Sequence, residues 1–252
     1  MANGKNLAGK VAIVTGAGRN IGRAIALALA DEGASIVVNV RSNKDEAVAV
    51  VRAIEANGGN ATTHVGNIAD AESTAFLAET AIRRFGGVDI LVNNAALRGE
   101  QPFDQMSYAD WRAVMDVTLD GAFHCMKACL PALKKSRGGR VVNIGGLSAH
   151  TGAKDRAHVI TAKAGIVGFT RALAHDLADA RITVNCVVPG LIGTPRPKNL
   201  PEPQHHLTHS TIFGERGTPE DVAALVRFIC SPAAGYITGQ IIHVNGGAYL
   251  GS

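Results

Sequence analysis

Residues Lys10 to Gly22 read KVAIVTGAGRNIG. The run containing Val11, Ile13 and Val14 is apolar and β-branched and breaks at Thr15-Gly16. After small residues the chain enters Ile21-Gly22-Arg23-Ala24-Ile25-Ala26-Leu27, whose apolar positions repeat at helical spacing. The pattern predicts a strand, a tight turn and a helix. Small side chains in the turn let the backbone lie close to a bound group, and the N–H groups and positive dipole end of the following helix suit a phosphate. The ligand this predicts is a dinucleotide, held by Gly16, Gly18, Arg19, Asn20, Ile21 and Gly22. Tight turns also use glycine for purely steric reasons, so the flanking strand and helix carry the functional reading. Asn20 stands where a third glycine is usual. Asparagine is the other residue suited to a left-handed backbone, so the turn is expected to be intact.

Outward from this stretch, the 252 residues hold no linker, charge block or repeat, which predicts one domain over residues 1–252. A hydrophobic content of 46% with 29 glycines suits a buried parallel sheet with many tight turns. No apolar run reaches the length of a membrane span. The opening MANGKNLAGK has no apolar signal core, and Cys125, Cys129, Cys186 and Cys230 show no CxxC spacing, so a reducing cytoplasm is the expected location. The formal charge of +4 is modest and dispersed, which argues against a nucleic-acid partner.

The first helix is expected over about Ile21 to Glu32, and Ala34 to Val40 as a second buried strand. An acidic residue at the end of such a strand holds ribose hydroxyls, whereas a basic one suits a 2′-phosphate. Here Val40 occupies the acid place, with Arg41 next and Arg19 in the turn, so NADP(H) is expected over NAD(H) unless both arginines are merely solvated. Helices follow at Asp45 to Asn57 and Ala71 to Phe85, and strands at Thr62 to Val65 and Val88 to Val92. Asn67, followed by Ile68, is placed either to meet an adenine edge or to form a turn.

TGAGRNIG, then Asn93-Asn94-Ala95-Ala96, then Lys163 in a helix after a strand at Arg140 to Ile144, then PGLIGT from Pro189 to Thr194, together resemble the short-chain dehydrogenase/reductase family. The resemblance runs from about residue 7 to residue 248. It implies a Rossmann-type, doubly wound, seven-stranded parallel sheet in a three-layer α/β/α arrangement, with the nicotinamide over the carboxyl ends of strands four to six. By the same resemblance Asn93, Ala95, Pro189, Gly190 and Thr194 line the cofactor, Lys163 holds the nicotinamide ribose, and the protein is a homotetramer acting on a small molecule. Ala96 departs from the family's usual glycine.

The larger departure is chemical. The family carries a tyrosine four residues before the lysine, a serine thirteen residues before that, and an asparagine in the preceding long helix. These places fall on Val159, Gly146 and Thr118, so Lys163 alone is kept. The residues sharing a helical face with Lys163 are Val159 and Ile160, both apolar. His158 and Thr161 lie roughly 140° and 160° around the axis. Ser148, His150 and His158 are the polar candidates for a substitute catalytic group, and Asp155 and Arg156 join His158 in a charged cluster, unless each is a hydrated loop residue or a cap.

A further strand is expected over Ile182 to Val188. Pro195 to Phe213 is a proline-broken polar stretch, and by the same resemblance about residues 191–216 would form the substrate flap. His205, His206 and His209 lie there with only Glu202 for a companion, and no metal site is expected. Thr218-Pro219-Glu220-Asp221 predicts a capped helix, and Gly239 to Val244 the last strand. The expected function is an NADP(H)-dependent oxidoreductase with a non-standard active site. Three alternatives share the same pocket: a C=C reductase of the dienoyl type, which can carry a histidine five residues before the lysine as His158 stands here; a non-redox cofactor-binding protein; and a lyase or isomerase.

Overall fold

The structure is a computed structural model and describes residues 5–194 and 210–251. Its centre is one parallel sheet of seven strands in the order β3-β2-β1-β4-β5-β6-β7. The strands are β1 (Val11–Val14), β2 (Ser35–Val40), β3 (Ala61–Val65), β4 (Ile90–Asn93), β5 (Arg140–Ile144), β6 (Thr183–Pro189) and β7 (Ile241–Val244). Strand order reverses between β1 and β4, which opens a crevice at their carboxyl ends.

The alternation within β1 explains the layers. Ala12 and Val14 pack on one face with helices α1 (Asn20–Asp31), α2 (Lys44–Ala56) and α8 (Pro219–Cys230). Val11 and Ile13 pack on the other with α3 (Ala71–Phe85), α5 (Gly121–Lys135) and α7 (Ala157–Asp176). A strand covered on both sides is apolar throughout, and all four residues of β1 are buried. Between these lie α4 (Tyr108–Met115) and the short α6 (Ser148–Thr151).

Helix starts follow their sequence signals. Asp70 caps α3 by accepting from Glu72 N at 3.0 Å, and Thr218 with Asp221 forms a reciprocal capping box at α8 with Pro219 at its first position. Residues Asp116–Asp120 form a π-helical turn joining α4 to α5. Arg112 Nη2 bonds both Asp116 and Asp120 across it, which holds the widened turn in register. Among the described residues no helix is long and apolar enough to cross a membrane. None of their His, Cys, Asp and Glu residues group in threes in a way that could hold a metal ion. His205, His206 and His209 lie outside the described residues.

Candidate active site

The turn after β1 is shaped by its partners. Gly16 takes φ +62° and Asn20 φ +51°, so the asparagine does adopt the left-handed backbone its position demands. The turn is tied to β2, where Ala17 N donates to Asn39 O at 2.8 Å. It is also clasped by the segment after β4. Thr15 Oγ1 accepts from Asn94 N at 3.0 Å and Ala95 N at 3.1 Å, and Asn94 Nδ2 donates to Thr15 O at 2.9 Å and Gly16 O at 3.1 Å. α1 starts against this clasp: a Cβ on Gly22 would collide with the Gly16 carbonyl oxygen and come within 2.5 Å of Asn94 Nδ2. Only glycine lets the helix N-terminus approach the turn this closely.

A cavity of about 570 Å³ opens above this clasp. Gly16, Gly18, Arg19, Asn20, Ile21 and Gly22 line it, with Arg41, Asn67, Ile68, Ala95 and Thr194, all read from the sequence as cofactor contacts. Asn67 combines both of its readings, since it lines the cavity while its Oδ1 accepts from Ala69 N at 3.3 Å in a turn. Asn94 lines the cavity, whereas the neighbouring Asn93 is buried and donates to Asn143 Oδ1 at 2.9 Å. Pro189 ends β6 against Val244. At Gly190 a Cβ would lie 2.6 Å from the Asn245 backbone, so this glycine serves a close backbone crossing. Sequence reasoning missed Glu46. Its carboxylate, carried in from α2, would lie 2.9 Å from a Cβ on Gly18 and lines the same cavity as Arg41. The Asp45-Glu46 pair reads as ordinary first-turn helix acids, and only tertiary packing turns one of them inward.

Lys163 is buried and its Nζ donates to Ile144 O at 2.6 Å. Burial, aided by the charge of Arg98, pulls its ammonium down to about 8. Because the folded pKa lies below the unfolded value of 10.5, the folded state releases this proton first as pH rises. The cost of burying the charge is then fully present below pH 8, and stability should climb from pH 8 toward 10.5. Thermal melts of the cofactor-free protein should show that climb, and Lys163→Met should flatten it. A climb unchanged in the variant would assign it to another group.

The remaining catalytic candidates separate. Gly146 lies beside Lys163, where a Cβ would meet only Lys163 Cγ at 3.7 Å. Val159 is buried in an apolar cluster with Val114, Met115 and Ala162, against Leu97 and Trp111. Thr118, on the π-helical turn, is buried, and its Oγ1 has no hydrogen-bond partner among the described residues. His158 sits in the first turn of α7 with Nε2 3.7 Å from a Cβ on Gly99, and its Nδ1 lacks a hydrogen bond among the described residues. Burial and then Arg156 hold its pKa low, partly opposed by Asp110. Ser148 is buried at the start of α6. The His150 ring meets His243 edge-on at 4.7 Å and lies tilted against Tyr249 of the C-terminal segment at 5.6 Å.

Comparison with known proteins follows the same outline. A family profile described as Enoyl-(Acyl carrier protein) reductase matches residues 16–249. The 3-oxoacyl-[acyl-carrier-protein] reductase of Synechocystis sp. is 42% identical over 246 residues, covering 97% of this chain and 98% of that protein. A blue fluorescent protein from a metagenomic library, solved in complex with NADPH, superposes with a TM-score of 0.90 at 33% identity, covering 97% of this chain and all of that one (100%). A 7α-hydroxysteroid dehydrogenase complexed with NADH and 7-oxo glycochenodeoxycholic acid does so at 0.90 and 38% identity, covering 98% of each. With a glycine-rich turn at the sheet's switch point, a buried lysine beside β5 and relatives that match it nearly end to end, the chain belongs to the short-chain dehydrogenase/reductase family of nicotinamide-cofactor oxidoreductases.

Proposed function

We propose that this protein is an NADP(H)-preferring oxidoreductase whose active site lacks the family's usual tyrosine and serine. The observation carrying the cofactor choice is the β2 end of the cavity: buried Val40 stands where an acid would be, and the exposed side chains of Arg19 and Arg41 line the same wall. The shape fits a dinucleotide, since Asn20 is left-handed and the Gly22 approach leaves the turn's backbone open to the cavity. The cofactor, when bound, supplies a hydride to a substrate carbon.

Around that carbon this chain offers the Lys163 ammonium, fixed by the Ile144 carbonyl, but no phenol at Val159 and no hydroxyl at Gly146. Ser148, His158 and His150 are the candidates for a proton, His150 being held edge-on to His243. Asn93 supports the site through Asn143, and Pro189 and Gly190 frame it. The whole chain acts as one dinucleotide-binding unit, with about residues 191–216, of which 195–209 lie outside the described residues, as its substrate flap. It assembles as a homotetramer, so light scattering should give four times 26.1 kDa, and a monomer mass would refute that.

Titration should show tighter binding of NADPH than of NADH. A charge-assisted phosphate contact is worth roughly 1.5–3 kcal/mol, so Arg41→Ala should weaken NADPH by about tenfold or more and leave NADH nearly unchanged. Glu46→Gln should tighten NADPH, because the carboxylate repels the 2′-phosphate. Equal affinities for the two cofactors in the unaltered protein would refute the preference.

A second reading is reduction of a conjugated C=C bond. It is favoured by buried His158, whose Nδ1 has no hydrogen bond among the described residues, and by the matching family profile's description as an enoyl reductase. Single-turnover absorbance at the NADPH band, with panels of ketones and conjugated enones, separates the two reactions. Oxidation by the enones alone favours the second.

A further inference from the structure

The glycine-rich turn is held from β2 by one residue. Gly16 N donates to Asn39 Oδ1 at 3.4 Å, and Ala17 N donates to the Asn39 carbonyl oxygen at 2.8 Å. Asn39 and Gly16 both line the cavity, so the orientation of one buried amide bears on how the turn faces it. Oδ1 can accept from Gly16 only while the amino group points the other way. There Nδ2 donates to Gly66 O at 3.1 Å and meets His64 Nδ1 at 3.1 Å. A turned-over amide would set its amino group against the Gly16 N–H and its oxygen against the Gly66 carbonyl, replacing hydrogen bonds with repulsive contacts.

His64 is the register partner of Asn39 on β3 and is buried. Nδ2 has two hydrogens; one goes to Gly66, and the other needs a lone pair on the ring nitrogen. The ring is therefore the neutral tautomer with its hydrogen on Nε2. Burial lowers its pKa, in agreement with that state. Packing fixes the pose: the Phe76 ring of α3 lies 5.8 Å away between centroids, and a Cβ on Gly66 would come within 2.6 Å of His64 Cε1. His64 does not itself line the cavity, so its route to a bound molecule runs through Asn39.

We propose that His64 is a positioning residue for the cofactor, whose Nδ1 lone pair locks the Asn39 amide that holds the glycine-rich turn. The proposal rests on reading the cavity as a dinucleotide site.

The test titrates the full chain with NADPH and follows its melting in parallel. His64→Asn places an acceptor oxygen where Nδ1 stands and should keep NADPH affinity within about twofold, whereas His64→Gln, nearer in volume, carries its amide beyond that place and should weaken NADPH about fivefold or more. Both should melt lower, since each loses the ring's packing on Phe76. Affinity and stability then part company, as they would not for a residue that only packs. In an Asn39→Ala background, His64→Gln should weaken NADPH no further. Equal affinities in the two single variants, or losses that multiply in the double one, overturn this proposal and leave the cofactor reading standing. Nitrogen NMR of the unaltered protein at neutral pH gives an answer even if a variant does not fold: a bare His64 Nδ1 supports the lock, and a hydrogen on Nδ1 overturns it. Failure of the unaltered protein to bind NADPH overturns the cofactor reading and this proposal with it.

Discussion

Simple ketones should be turned over at least about 10² times faster by the double variant Gly146→Ser, Val159→Tyr than by the unaltered protein. General acid catalysis supplies about 10²–10⁴ in rate and a single oxyanion donor about 10²–10³; acting together they are not additive, but losing both costs at least about 10⁴. The cofactor turn and Lys163 are already present for the restored pair to use. The serine fits without strain, since its Cβ meets only Lys163 Cγ at 3.7 Å. The tyrosine must enter the packed cluster of Val114, Met115, Leu97 and Trp111, and overpacking of this kind costs about 1–3 kcal/mol. A lowered melting temperature should therefore accompany the gain, and the serine alone should add little. Robust ketone turnover by the unaltered protein would refute the argument from Val159. A folded double variant with no gain would show that the wall around Trp111, and not only the proton donor, has diverged.

Gly22→Val should abolish measurable cofactor binding, with a loss of more than about 100-fold, and should destabilise the fold. The new Cβ would run into the Gly16 carbonyl oxygen and sit 2.5 Å from Asn94 Nδ2 and 3.0 Å from Ala17 Cα. The helix must back away, which breaks the Asn94 clasp and retracts the N–H groups that face a phosphate. Gly168→Ala in α7 is the control: nothing lies within 4 Å of its Cβ, and helix propensity favours alanine by about 0.8–1.0 kcal/mol. Cofactor titration and thermal melts of both variants check the contrast. Full cofactor affinity in Gly22→Val would show that the turn does not hold the dinucleotide.

Much of the scaffold was legible because its signals are local. The bounds of α3 and β5 follow from apolar periodicity, and the left-handed backbone of Asn20 follows from its place among glycines. The π-helical turn at Asp116–Asp120 was not legible, since five residues carry too little periodicity to separate it from an α-helix. Arg112 reaches two aspartates across it, a pairing no short pattern announces. Glu46 looked like a surface helix acid until packing set it against Gly18. His150 read from the sequence as a polar loop candidate for a substitute catalytic group. Its ring meets His243 edge-on and lies tilted against Tyr249, which are more than ninety residues away in sequence, beyond the reach of any local pattern.

The clasp between Thr15 and the Asn94-Ala95 backbone has a consequence for biosynthesis. The hydroxyl that shapes the nucleotide turn is engaged by residues 79 and 80 positions later. In synthesis the glycine-rich stretch is therefore made some 80 residues ahead of the segment that clasps it. Non-local pairing of this kind also slows folding, because the intervening loop must close before the contact rewards it. Cellular nucleotide can then act as a folding ligand only once β4 has joined β1. A chain arrested before residue 94 should ignore the cofactor, whereas the released full-length chain should be protected by it from proteolysis.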